Sequence, residues 1–182
     1  NKTLRGNIMA SVAIVLGSVR PGRAGEQVVR WIEEQARQAD GVSTVFLDLR
    51  DYQLPLFAEE MPPSMQAPKL PEAVRLRTNI AANDAVLFVT PEYNHSVSAV
   101  LKNAIDYLPP ATLKEKAVGL VGYSWYGAVK PLEHLREILS TFGADVRDQQ
   151  VGINLGSDFQ DGVFQPSNEL NAQIRELLAS LA

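Results

Sequence analysis

Short apolar runs alternate with amphipathic stripes along most of this 182-residue chain, and few folds accommodate that pattern. The apolar runs at residues 12–16 and 85–89 predict buried strands, and further strands are predicted at residues 43–49, 117–121 and 146–153. The stripes predict helices at residues 26–39, 72–82, 97–108, 131–142 and 170–181. Because adjacent parallel strands need a right-handed crossover, normally through a helix, the alternation predicts a doubly wound, three-layer α/β fold.

The composition excludes several classes of function. The chain has 17 basic and 21 acidic residues, a net charge of −4, so we predict no nucleic-acid binding, which needs a basic surface. It has no cysteine, which removes disulfides and thiolate chemistry, and its two histidines argue against a metal site. No apolar run approaches the length that spans a bilayer, so we predict no membrane association and a cytoplasmic protein.

We expect one domain over residues 11–182, with a tag remnant or a disordered N-terminus at residues 1–10. Prolines cluster between residues 50 and 71 and exclude a helix or a central strand there. Pro91 is expected to end the third strand for the same reason. A connection as long as residues 50–71 is usually functional, and we expect it to border a site or a partner subunit.

The loop after the first strand, residues 17–25, has the chemistry of a phosphate site. Its glycines permit tight turning, Ser18 offers a hydroxyl, and Arg20 and Arg23 offer guanidinium groups beside the start of a helix. The loop lacks the second glycine of the dinucleotide fingerprint and the lysine of the P-loop, so a mononucleotide phosphate fits best. The alternative is a plain turn with solvated arginines, which would place two cations unfavourably at a helix N-terminus.

The loop after the third strand, residues 90–96, suits a planar heterocycle with polar edges. Tyr93 offers a flat face and Asn94 directional hydrogen bonds, and either Asn94 or Ser96 is expected to cap the next helix. We assign Glu92 a binding or structural role, because nothing in the sequence pairs with it for acid–base chemistry. The alternative is a capped turn with a surface tyrosine.

The loop after the fourth strand, residues 122–128, contains three aromatic residues between two glycines. Exposed aromatic side chains at this density usually stack on a planar ligand or on a neighbouring subunit. We expect His95, in the preceding loop, to lie at the surface rather than to act as a base, because no serine and aspartate partners support a triad.

Together these loops resemble the NADPH-dependent FMN reductase family, whose members include flavodoxin-like quinone, azo and chromate reductases. The resemblance rests on Gly-Ser-x-Arg at residues 17–20, Pro-Glu-Tyr-Asn-x-Ser at residues 91–96 and Leu-Lys-Asn-Ala-Ile-Asp at residues 101–106. It extends over residues 12–139 and implies a flavodoxin-like fold with a five-stranded parallel sheet of order 2-1-3-4-5.

The resemblance implies a role for each loop. The FMN phosphate would be held by Ser18, Arg20, Arg23, Gly25, Glu26 and Gln27; the ribityl chain and one ring edge would be lined by Pro91, Glu92, Tyr93 and Asn94; and the pyrimidine edge would be approached by Ser124, Trp125, Tyr126 and Gly127. The fourth loop departs from the family's usual Ser-Tyr-Gly stretch and later Gly-Gly pair, with Lys130 near the position of the family's arginine.

By the same resemblance we expect FMN to take a hydride from NADPH or NADH at N5 and to reduce small-molecule acceptors in a ping-pong cycle. These acceptors would be quinones, azo compounds, metal oxyanions or free flavin. No catalytic side chain is predicted, because the cofactor carries the chemistry. The family also implies a homodimer or homotetramer.

Two alternatives remain at this point. One is an electron-transfer flavodoxin without a substrate of its own, and the other is a flavin-free regulatory or nucleotide-binding domain of the same fold. Flavodoxins typically favour a Ser/Thr-rich phosphate loop and a strongly acidic surface, so the arginines of the first loop and the modest net charge favour the enzyme over the flavodoxin.

Overall fold

A computed structural model of the protein describes residues 9–182 and has the predicted parallel sheet, with strand order β2-β1-β3-β4-β5. Its strands are β1 (Ala10–Leu16), β2 (Val42–Asp48), β3 (Ala85–Pro91), β4 (Ala117–Ser124) and β5 (Asp145–Asn154). The helices are α1 (Gly25–Gln38), α2 (Pro71–Ala81), α3 (Ala99–Asp106), α4 (Val129–Ser140) and α5 (Asn168–Ser180). Of the segment predicted as a tag remnant or a disordered N-terminus, residues 1–8 lie outside the described residues.

The core lies on both faces of the sheet because alternate residues of each strand point to opposite sides. Val12, Ile14 and Leu16 of β1 face α1 and α5, whereas Ala13 and Val15 face the layer of α2, α3 and α4. The predicted three-layer arrangement is confirmed. No helix within residues 9–182 is long and apolar enough to cross a membrane.

The prediction that the third strand ends before Pro91 is wrong, because β3 continues through Pro91, which pairs with Tyr123 of β4. Val89 accepts a backbone hydrogen bond from Gly17, so its carbonyl faces β1. Pro91, two residues further on, faces the same side, but β1 pairs with β3 only as far as Val89. The missing N–H of Pro91 therefore removes no bond from the ladder.

The helix after the third strand is capped by Ser98, and not by Asn94 or Ser96 as predicted. The Ser98 hydroxyl accepts from the Leu101 N–H at 3.1 Å and donates to the Gly17 carbonyl. Asn94 and Ser96 belong instead to a tight turn that precedes the helix. The cap therefore has two effects, since it starts α3 and ties the helix to the loop after β1.

Residues 52–70 form no helix or strand, as the prolines predict. The ends of the predicted segment 50–71 differ, because Arg50 belongs to a short 3₁₀ helix (Leu49–Asp51) and Pro71 is the first residue of α2, where proline is tolerated. One amide side chain fastens this segment to α3. Asn103 accepts from the Phe57 N–H and donates to the Pro55 carbonyl, both at 2.8 Å, and the Tyr107 hydroxyl donates to the same carbonyl at 3.2 Å. The tether holds the proline segment against the helix that follows the third loop.

A short hairpin between β5 and α5 was not predicted, and it consists of β6 (Phe159–Gln160) and β7 (Val163–Phe164). Phe164 packs edge-on against Trp31 of α1, with 5.2 Å between ring centroids. The Gln27 side chain donates to the Gly162 carbonyl and accepts from the Phe164 N–H, both at 2.8 Å. Gln27 thus joins the hairpin to the first turns of α1.

Candidate functional site

A cavity of about 370 Å³ opens at the carboxyl ends of β1, β3 and β4, where the three predicted loops converge. Its lining includes most of the residues predicted for the site: Ser18, Arg20, Arg23, Pro91, Glu92, Tyr93, Asn94, Ser124, Trp125 and Tyr126. Gly25, Glu26, Gln27 and Gly127 were also predicted but lie outside this lining. His95 and Tyr123 line the cavity and were not among the predicted binding residues.

Hydroxyl groups and one arginine of the first and third loops meet at one end of the cavity. The buried Ser18 hydroxyl lies 3.2 Å from the Tyr93 hydroxyl, and the Arg20 guanidinium lies over the Tyr93 ring at 5.9 Å from its centroid. Within residues 9–182 no carboxylate lies within ion-pair distance of Arg20. The exposed Arg20 guanidinium is therefore available to an anionic ligand.

The N-terminus of α1 adds a second attraction for an anion. The residue that precedes the helix, Ala24, has no side-chain acceptor, and no side chain caps the first turn. The positive end of the helix dipole faces the loop, and the acidic residue of the first turn, Glu26, is already paired with Arg23 and Arg50. The first residue of α1 is Gly25. A larger residue would not fit there, because a Cβ would lie 2.6 Å from both the Leu16 side chain and the Tyr123 hydroxyl.

Arg23 has a different environment from Arg20, because its side chain is only 1% exposed. It forms a two-pronged ion pair with Asp48, with one contact at 2.9 Å, and a second ion pair with Glu26 at 3.2 Å. Arg23 also donates a hydrogen bond to the Ser18 carbonyl and so holds the first loop in place. Arg50 completes the cluster, with contacts at 2.6 Å to Glu26 and 2.9 Å to Asp48.

This cluster explains how a second arginine is tolerated at the start of a helix. Two guanidinium groups and two carboxylates balance each other, so the charge of Arg23 is neutralised within the protein. The predicted roles of Arg23 and Glu26 in holding phosphate stay predictions, but both side chains already have protein partners. The sequence argument missed this arrangement because Asp48 and Arg50 come from the far end of β2.

Asp48 makes the stability of the fold sensitive to acid. Burial alone would raise the pKa of Asp48, but hydrogen bonds from Arg23 and Arg50 outweigh it and lower the pKa from its usual 3.8 to about 2. A carboxyl whose pKa is lower in the folded state stabilises the fold when ionised, so its contribution is lost as the pH falls from 3.8 towards 2.

We therefore expect the difference in unfolding free energy between the wild type and Asp48→Asn to be constant above about pH 5 and to narrow below it. Urea titrations of both proteins at a series of pH values measure this difference. A gap that stayed the same down to about pH 2 would show that the ionisation of Asp48 does not stabilise the fold.

The third loop makes a two-residue turn whose central residues, Asn94 and His95, have φ angles of 50° and 62°. Tyr93 and Ser96 close the turn, with backbone bonds of 2.9 and 3.2 Å. Asparagine tolerates the left-handed region, but histidine does so less readily, so the turn stores strain beside the cavity. The His95 side chain is 78% exposed, as predicted for this residue.

Glu92 is a buried carboxylate with one unused oxygen. Its Oε1 lies 3.3 Å from Nδ1 of His95, whereas its Oε2 is buried and has no hydrogen-bond partner within residues 9–182. The imidazole of His95 in turn stacks on the ring of Tyr126, with 6.3 Å between centroids. The third and fourth loops therefore contact each other at the cavity rim through His95 and Tyr126. Glu92 adds an unpaired hydrogen-bond acceptor, Oε2, to the residues that line the cavity.

The fourth loop exposes its aromatic residues at the same rim. β4 runs three residues further than predicted, to Ser124, whose hydroxyl accepts from the N–H groups of Tyr126 and Ala128 at 3.0 and 2.8 Å. The Ser124 side chain thus builds the turn, and it leaves Trp125 and Tyr126 largely exposed. Flat exposed rings at a cavity mouth suit stacking on a planar ligand.

Comparisons with known proteins place this geometry in a family. Residues 10–158 match the family model described as NADPH-dependent FMN reductase. The chain belongs to the NADPH-dependent FMN reductase family. It is therefore a member of an oxidoreductase family, and FMN and NAD(P)H are the cofactors that the family's description and its relatives' names imply.

Two relatives and one solved structure illustrate the FMN reductase relationship. The chain is 32% identical to an NAD(P)H-dependent FMN reductase of Nectria sp over 72% of this chain and 68% of the relative. It is 44% identical to a quinone reductase of Pseudomonas putida over 53% of this chain, which spans about half (48%) of that relative. The flavoenzyme FerB of Paracoccus denitrificans, an NAD(P)H:(acceptor) oxidoreductase, superposes with a TM-score of 0.74 at 23% identity, covering 95% of this chain and 97% of FerB. The predicted flavodoxin-like fold is confirmed.

Proposed function

We propose that this protein is an FMN-dependent NAD(P)H oxidoreductase that reduces small-molecule acceptors such as quinones, azo compounds, metal oxyanions or free flavin. The redox chemistry would be supplied by bound FMN, with transfer of a hydride from NAD(P)H to N5 and of electrons to the acceptor in a ping-pong cycle. The observation that carries the proposal is one cavity that joins an unneutralised arginine and an uncapped helix N-terminus to an aromatic rim. A phosphate at one end and a planar ring at the other match those two halves.

The residues around the cavity fit FMN by their chemistry. Arg20, the Ser18 hydroxyl and the start of α1 would bind the phosphate, because all three favour negative charge. The unused Glu92 Oε2 would accept from a ribityl hydroxyl, which would satisfy an atom that is otherwise buried without a partner. Tyr93 and Asn94 would line the ribityl chain and one ring edge.

The side chains of the site bind and orient rather than react. Trp125 and Tyr126 would flank the ring and restrict which acceptors approach it, since both are exposed at the rim. No triad or paired carboxylate lies among the cavity residues, and none is needed where the cofactor carries the redox chemistry.

We also propose that the protein assembles as a homodimer or homotetramer. Leu56 and Met65 of the proline segment are strongly exposed, and a second cavity, lined by Val19, Leu54 and Val100 among others, lies between that segment and α3. Exposed apolar surface of this kind is typical of subunit contacts. Light scattering of the purified protein measures the assembly, and a monomer at all concentrations would contradict it.

The decisive experiment is an absorption spectrum of the protein with FMN, followed by anaerobic addition of NADPH or NADH. We expect bound flavin whose absorption band bleaches on addition of the donor, and steady oxidation of the donor once a quinone is supplied. Bound flavin that is not reduced by either nicotinamide would favour an electron-transfer flavodoxin. Protein that binds no FMN would contradict the proposed function.

A further inference from the structure

Tyr123 is a buried side chain of the cavity wall that has no evident structural use for its hydroxyl. It lies next to the last residue of β4 and is only 5% exposed. Its hydroxyl has no hydrogen-bond partner within residues 9–182. Buried polar groups are almost always paired, so an unpaired one needs an explanation.

The hydroxyl lies beside the first turn of α1 and the first loop, the parts of the cavity that are proposed to bind the phosphate. A Cβ on Gly25, the first residue of α1, would lie 2.6 Å from the Tyr123 oxygen, so the hydroxyl is in direct contact with the first turn of that helix. The Ser18 hydroxyl approaches it closely enough to lower its pKa as a hydrogen-bonding group does, although the two oxygens do not reach hydrogen-bond geometry. Arg20 lowers and Tyr93 raises the same pKa through their charges, and all three residues line the cavity. The aromatic rim of Trp125 and Tyr126 belongs to the loop that follows.

We propose that the Tyr123 hydroxyl donates a hydrogen bond to the phosphate of the bound mononucleotide, as a binding residue in addition to Ser18 and Arg20. This inference rests on the proposed function and deepens it. An O–H group that donates to an anion forms a short, strong hydrogen bond, and the bond would give the buried hydroxyl the partner that it lacks.

The protonation state of Tyr123 supports donation. Burial disfavours the phenolate and raises the pKa of Tyr123 far above its usual value, and the lowering influence of nearby Ser18, Arg23 and Arg20 is smaller. The side chain is therefore a neutral donor throughout the physiological pH range. A phenolate at this position would repel a phosphate, whereas the neutral hydroxyl attracts it.

A packing role alone does not account for the hydroxyl. Phenylalanine would fill the same space without burying an unpaired polar atom, so the apo protein would be more stable with phenylalanine. A residue that lowers the stability of the free protein while it improves ligand binding is typical of a functional site. The two roles therefore predict different results for one substitution.

The test compares Tyr123→Phe with the wild type for the binding of FMN and of riboflavin, which lacks the phosphate, measured by the quenching of flavin fluorescence. We expect the Kd for FMN to rise by about tenfold or more and the Kd for riboflavin to stay unchanged. We also expect the melting temperature of the apo protein to rise by about 2–4 °C, because the unpaired hydroxyl is gone.

Tyr107→Phe is the matched control. Tyr107 is equally buried, but its hydroxyl already donates to the Pro55 carbonyl at 3.2 Å, and it does not line the cavity. The same substitution there should lower the melting temperature and leave the binding of both flavins unchanged. The contrast separates the loss of a satisfied hydroxyl from the loss of one that binds a ligand.

Three outcomes would overturn the inference about Tyr123. Two unchanged Kd values would show that the hydroxyl does not contact the ligand, and an equal loss for both flavins would show that it contacts a part of the flavin other than the phosphate. A lower apo melting temperature would show that the hydroxyl has a structural partner. A wild type that binds FMN no better than riboflavin would instead overturn the phosphate site itself, and the proposed function with it.

Discussion

Replacing Arg23 by methionine is expected to lower the free energy of unfolding by about 3–5 kcal/mol, since it leaves a buried carboxylate without its main partner. Methionine keeps an unbranched stem of similar length and removes the charge. Asp48 is nearly buried and would retain only Arg50, whose guanidinium is 43% exposed. The substitution also removes the donor to the Ser18 carbonyl, so the first loop loses its support.

Arg50→Met serves as the control for Arg23→Met. It removes ion pairs to the same two carboxylates, but from a half-exposed side chain that solvent screens, so a much smaller loss of stability is expected. Urea unfolding of both variants gives the comparison. Equal losses would show that burial does not govern the strength of this cluster.

A double variant, Arg23→Met with Asp48→Leu, tests the cause of the loss. Removing both buried charges abolishes the unpaired carboxylate, so the double variant should recover much of the stability that Arg23→Met alone loses. If the double variant were instead as unstable as the sum of its single changes, the tether to the Ser18 carbonyl would be the more important contribution.

Replacing Arg20 by alanine is expected to weaken FMN binding by about 1.5–3 kcal/mol, the range for a hydrogen bond to a charged group. In the Kd this is a factor of roughly 10–150. Riboflavin binding should not change, because riboflavin has no phosphate. The stability of the apo protein should change little, because Arg20 is exposed and has no carboxylate partner within residues 9–182.

Glu92→Gln is the matched control for Arg20→Ala. The proposed contact of Glu92 is to a ribityl hydroxyl, which FMN and riboflavin share, so both should bind more weakly and by similar factors. Titration of each variant with the two flavins gives four dissociation constants. An Arg20→Ala protein that lost affinity for riboflavin as much as for FMN would remove Arg20 from the phosphate site.

The architecture of the sheet could be predicted because it depends on patterns that the sequence displays directly. Strands buried on both faces are continuous apolar runs, and helices that cover a sheet are striped, so the order and type of the main elements follow. The boundaries depend on what lies beside each strand. Pro91 continues β3 only because β1 has already ended, and no property of residues 90 and 91 alone indicates this.

The roles of single side chains were harder to predict where they depend on register. Arg23 was predicted to contact phosphate, but the pairing of Leu16 with Asp48 brings a carboxylate beside the first loop, and Arg23 pairs with it. Tyr123 was treated as part of a loop, because the fourth strand was predicted to end at residue 121. Continuing the strand alternation by two residues would have placed Tyr123 on the same buried face as Val121.

The attachment of the proline segment bears on how freely that segment can change. The hydrogen bonds of Asn103 to this segment go to main-chain atoms of Pro55 and Phe57, so they do not depend on the identity of the side chains there. Residues 52–70 can therefore vary in composition, and so in the surface that they form. The Asn103 side chain still holds the proline segment against α3. The surface formed by residues 52–70 is thus open to diversification without any change to the sheet.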